Sequence, residues 1–180
     1  KMKGYIETDF TGCSNATIND LRLRHGYIDM RWEHSDLLMG QYWHPMVIHE
    51  IMPGTMPLSM GAPFHPYARY NQVRYTHFLG NIEMMATAAF QLDNKSNGPL
   101  GASTEYIKRS MVPEMNVLMR YASENAMLGV AANMLTIKPR NEQNFSHVSY
   151  TVFGKVNFGS WSLKAQTLLN SNLYEASSMG

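Results

Sequence analysis

The sequence predicts an all-β fold, an antiparallel up-and-down sheet of about nine strands. Two observations carry this. Segments of about ten residues alternate apolar and polar side chains, the period that a pleated strand imposes. Every second joint is tight, at Glu33–Asp36, Gly80–Asn81, Ser123–Asn125 and Gly159–Ser160, whereas Cys13–Thr17, Pro45–Pro63, Asp93–Ser110 and Pro139–Ser146 are longer. An up-and-down sheet then has its short turns at one end and its long loops at the other, an asymmetry typical of transmembrane β-barrels.

The strands follow in order. Lys3–Thr11 is extended, with Tyr5 and Ile6 breaking phase. In Asp20–Trp32, Leu21 and Leu23 alternate with Arg22 and Arg24, and the apolar phase then moves to Ile28, Met30 and Trp32. A one-residue slip of this kind predicts a β-bulge, placed here at Gly26. Leu37–Trp43 and Phe64–Leu79 are the next two strands. Ile82–Leu92 is the clearest, with Ile82, Met84, Ala86, Ala88 and Phe90 on one face and Glu83 and Thr87 on the other. Met115–Tyr121, Leu128–Met134, Val148–Phe158 and Leu163–Leu169 repeat the pattern. Across these last five strands the apolar face carries no formal charge, as a lipid-facing surface requires when Arg or Lys at mid-membrane costs about 2–4 kcal/mol. Met85, Leu118, Phe153 and Leu168 fall on the opposite face. The inverse arrangement, a soluble lipocalin-like barrel with its apolar face around a small hydrophobic ligand, accounts for alternation but not for the long connections.

Composition sets bounds. The 180 residues fit a single β-barrel domain, or a fragment of one, with 44% hydrophobic residues and a formal charge of +1 that gives no reason to expect a nucleic-acid partner. No run approaches the roughly 18 apolar residues of a transmembrane helix. Cys13 is the only cysteine, so no internal disulfide forms. The chain opens at Lys1-Met2-Lys3, so the expectation is a processed signal or a longer polypeptide.

Three segments, Arg22–Asp29 (RLRHGYID), Leu37–Pro45 (LLMGQYWHP) and Asn71–Thr76 (NQVRYT), together with the opening GYIETDF, resemble the DcaP-like outer-membrane porins of Gram-negative bacteria. The motifs cover residues 4–92. The resemblance implies a homotrimeric barrel of about sixteen strands. It would sit in the bacterial outer membrane among lipid and lipopolysaccharide and pass small solutes passively, with neither cofactor nor catalytic activity. This chain departs from that pattern in its strand number and in ending at Ser177-Ser178-Met179-Gly180 without a terminal aromatic. The expectation is therefore a slice of a longer porin, with a smaller complete barrel of eight or ten strands as the alternative.

The alternation places Arg22, Arg24, Arg74, Arg120, Lys155 and Lys164 toward the lumen, with Glu83 and Glu114 as the clearest inward acids and Asp20 near a rim. Such charges either set selectivity, here for anionic or neutral polar solutes, or brace the wall by pairing. Pro45–Pro63 is too apolar for a solvent loop. Its Val47, Ile48, Ile51, Met52, Met56 and Leu58 are expected either to fold inward as a constriction, over Met85 or Phe153, or to pack on a neighbouring subunit. His44, His49 and His65 with Glu50 match no metal-ligand spacing, and no nucleophile elbow or phosphate-binding loop occurs. The fifteen methionines act as adaptable apolar side chains. Trp32, Trp43, Tyr121, Phe158 and Trp161 lie near strand ends, as interfacial girdles do. An outer-membrane enzyme or adhesin would need a catalytic cluster or a large binding loop.

Overall fold

The computed structural model describes residues 1–10, 21–52, 68–90, 96–98, 101–103, 105–139 and 143–169. Nine strands form one antiparallel sheet in chain order. They are β1 (Met2–Asp9), β2 (Arg22–Arg31), β3 (Ser35–Trp43), β4 (Arg69–Leu79) and β5 (Ile82–Phe90), then β8 (Glu114–Ala122), β9 (Ala126–Ile137), β10 (Phe145–Phe158) and β11 (Trp161–Leu169). The sheet is not closed: among the described residues β1 pairs only with β2, and β11 only with β10. Between β5 and β8, where the sequence predicts only loop, the chain makes a small hairpin, β6 (Ser96–Gly98) with β7 (Gly101–Ser103), and the helix α1 (Glu105–Ser110). Elements of three and six residues are too short to leave a periodic signature.

The turns explain the meander. β2, β4, β8 and β10 all end in short joints at one end of the sheet. Gly80 and Gly159 open two-residue turns with φ of 60° and 57°, the left-handed geometry that matches the twist of paired strands. At the third joint the Ser123 hydroxyl accepts the Ala126 N–H at 3.2 Å. The other end carries every long connection.

The β1–β2 register slips between Glu7 and Thr8: Glu7 faces His25, Thr8 faces Leu23, and Arg24 is the extra residue. The bulge therefore lies two positions before Gly26. Alternation brackets the slip between Leu23 and Ile28 without locating it. What holds it is Gln41 of β3, whose side-chain amide donates to Leu23 O at 2.9 Å and Arg24 O at 3.3 Å.

The two faces differ in kind. One is bare: Ile28, Met39, Val73, Met84, Val117, Val130, Val152 and Leu163 are all exposed. The other is covered by His44–Met52, a strap that leaves β3 and lies back over the sheet. Met46, Ile48 and Ile51 of the strap pack with Met85, Leu118, Met127, Ala131 and Phe153, and Leu168 joins the edge of this cluster. Each Met, Ile, Leu or Phe side chain buried here contributes about 1.5–3 kcal/mol. Phe153 sits directly against Gly129, its register partner on β9, where a larger residue has no room.

Candidate functional site

The strap is fixed by polar contacts as well as by its apolar side chains. Where β3 ends, the carbonyls of Tyr42 and Trp43 accept from Gln72 Nε2, both at 2.9 Å. Arg74 Nη2 adds a bond to Trp43 O at 2.7 Å. His44 follows, fully buried. Its Nδ1 accepts the Met46 N–H at 3.1 Å, so the ring hydrogen sits on Nε2 and is donated to Glu114 Oε1 at 2.9 Å. Asn133 Nδ2 donates to the same oxygen at 2.5 Å. Further along, Glu50 Oε1 meets Arg120 Nη1 at 2.8 Å, and Arg120 Nη2 reaches Glu83 Oε2 at 2.7 Å. Lys164 Nζ donates to Met52 O at 2.8 Å, so the strap is tied to the sheet from β4 to β11.

The residues assigned to the lumen share the covered face but divide into two groups. Arg22 pairs with Asp9 at 3.0 Å, Arg24 with Glu7 at 2.9 Å, and Arg120 with Glu83 and Glu50. These are cross-braces. Glu114 points inward but is buried beneath the strap against His44. Among the described residues Arg74 hydrogen-bonds only neutral groups, Trp43 O and Gln72 Oε1, and lies 5.2 Å from the Tyr42 ring centroid. Lys155 and Lys164 face each other in register across β10 and β11, an unfavourable like-charge pair. Of the residues assigned to the lumen, Arg74, Lys155 and Lys164 thus have no carboxylate within ion-pair distance among the described residues.

Val47, Ile48, Ile51 and Met52 are buried in the strap, while Met56 and Leu58, like Cys13, Asp20 and His65, lie outside the described residues. Glu50 was visible in the sequence only as a possible metal ligand; its partner Arg120 lies 70 residues away. Burial pushes the Glu50 carboxyl up, but its own backbone N–H and the Arg120 guanidinium outweigh this and hold it below the ordinary value of 4.5. Gln41 and Gln72, which satisfy the carbonyls at the bulge and at the strap's root, carry no signal of that role beyond their place in the motifs. Among the described residues no group of three His, Cys, Asp or Glu side chains is gathered to hold a metal.

The bare face carries no carboxylate or lysine among the described strand residues. Trp32, Tyr121, Phe158 and Trp161 are exposed at its short-turn end. Trp43 differs from these four. It lies at the long-connection end, under the Arg69 guanidinium at 3.9 Å and against His25 and His49. No helix among the described residues is long and apolar enough to cross a membrane, which leaves open crossing by strands. Family models, curated proteins and solved structures were compared with the chain, and none matches it.

Proposed function

We propose that this chain forms part of the wall of a bacterial outer-membrane porin, a homotrimeric β-barrel whose water-filled channel passes small anionic or neutral polar solutes by diffusion. One observation carries the reading. The chain lays its own apolar strap on the face that holds most of the charged side chains and leaves uncovered the apolar face, which carries no carboxylate or lysine among the described strand residues. A soluble ligand-binding barrel would do the reverse, enclosing the apolar face and leaving the charged one to water. Irregular backbone such as the strap is tolerated at membrane depth where it is buried in protein or lines a cavity. Strands of eight to fourteen residues suit a tilted crossing, for which about 9–11 are needed.

The three segments that resemble motifs of DcaP-like porins fall on β2, on β3 and its end, and on β4, three neighbours in the sheet, and this supports the same assignment. In this reading the strap narrows the channel, and Arg74, Lys155 and Lys164 supply its positive field. Reconstitution of the full-length protein in planar bilayers tests the proposal. Discrete conductance steps are expected, growing when residues 47–58 are replaced by a short Gly/Ser linker. Correctly folded protein that gives no steps contradicts it.

A further inference from the structure

We infer that the covered face of β1–β3 is a binding track for neutral, linear saccharides, an inference that rests on the channel reading for access to that face. Three tyrosines form a ladder across these strands. The ring centroids of Tyr5 and Tyr27 are 5.3 Å apart and those of Tyr27 and Tyr42 are 4.9 Å apart. His25, buried beneath them, lies 5.3 Å from Tyr42 and fixes the base of the ladder. Tyr5 is exposed, and Tyr27 and Tyr42 are half-buried, so none of the three is sealed from solvent.

The electrostatics around the ladder select the ligand class. In β1–β3 the cations Lys3, Arg22, Arg24 and Arg31 stand against the carboxylates Glu7, Asp9, Asp29 and Asp36, and the two signs cancel. Most are engaged with one another, Arg22 with Asp9, Arg24 with Glu7 and Arg31 with Asp29 at 2.7 Å, while Lys3 Nζ lies 5.5 Å from the Tyr5 ring centroid. Strands whose own charges cancel and are largely paired add little net attraction for a free anion or cation. Paired carboxylates and guanidiniums still have spare acceptor and donor sites for hydroxyl groups, and aromatic surface takes the apolar C–H face of a sugar ring. Aromatic surface with a few placed polar groups is the usual make-up of a small-molecule site. Arg74, on β4, bounds the track, its guanidinium 5.2 Å from the Tyr42 ring centroid, whereas Lys155 and Lys164 lie far along the sheet on β10 and β11.

The test uses maltohexaose on purified full-length protein, read in two ways. In bilayers, channel conductance should fall saturably as maltohexaose rises to about 10 mM, with the half-blocking concentration raised about tenfold by Tyr27→Ala and little changed by Tyr27→Phe. In detergent, the fluorescence of Trp43 in a Trp32→Phe, Trp161→Phe background should titrate over the same range, with the same order of variants. Tyr42→Ala provides a second truncation should Tyr27→Ala fail to fold. Absence of conductance steps would count against the channel alone, because the fluorescence titration still decides the track. No saturable change in fluorescence, or equal affinity in wild type and both alanine variants, overturns the inference.

Discussion

Arg120 Nη1 and Glu50 Oε1 lie 2.8 Å apart although 70 residues separate them, and the same guanidinium holds Glu83 on the adjacent strand. One cation thus joins β5, β8 and the strap. Removing it leaves two carboxylates facing each other without their donor. Arg120→Ala is expected to destabilise the fold by about 1–3 kcal/mol, the range for losing charge-assisted hydrogen bonds. Glu50→Gln keeps an acceptor and should cost less. Urea unfolding in detergent, followed by tryptophan fluorescence, measures both; equal stability of wild type and Arg120→Ala would show that the contact is idle.

Acid should loosen the strap. Glu50 is held below its ordinary value of 4.5, so its contribution is fully present above that pH and is lost as pH falls through the lower, folded value. Conductance through the reconstituted protein is therefore expected to rise as pH drops below 4.5. Glu50→Gln should flatten that dependence. A profile identical in the two proteins assigns the acid response to another group.

Gly129 and Phe153 test the packing beneath the strap. A methyl group at position 129 falls within the volume of the Phe153 ring. Gly129→Ala should cost about 1–3 kcal/mol by overpacking, with much of the loss restored in the Gly129→Ala, Phe153→Leu double variant. Thermal unfolding of the four proteins closes the cycle. A neutral Gly129→Ala would mean that the ring is free to move aside.

Selectivity should reside in the cations that have no carboxylate partner. Replacing Arg74, Lys155 and Lys164 together by Gln is expected to shift the reversal potential in a potassium chloride gradient toward cation preference. Arg22→Gln should shift it less, because Asp9 already offsets that charge. The difference should fade near 1 M salt, where the Debye length is about 3 Å. Equal shifts would mean that ion pairing does not sort these residues.

The strand pattern was legible because period-two alternation and tight turns are local. β5, β8 and β10 lie where their alternation places them, and the slip between Leu23 and Ile28 announced the bulge. Its position was not legible, because that depends on which strand carbonyls Gln41 reaches. The apolar content of the strap showed that it must be buried. Its attachment through His44–Glu114 and Glu50–Arg120 did not show, since each pair joins residues 70 apart. Sorting bracing cations from uncompensated ones likewise depends on cross-strand register, which fixes Arg22 beside Asp9 and Lys155 beside Lys164.

The bare face is proposed to meet lipid and the covered face to meet water. Single cysteines at Val130, Val152, Lys155 and Lys164, on a Cys13→Ser background and in reconstituted membranes, test it most directly with a charged, membrane-impermeant thiol reagent. Val130→Cys and Val152→Cys should resist modification while Lys155→Cys and Lys164→Cys react. Faster labelling of Val130→Cys than of Lys155→Cys, or protein that stays monodisperse in buffer without detergent, would contradict the claim.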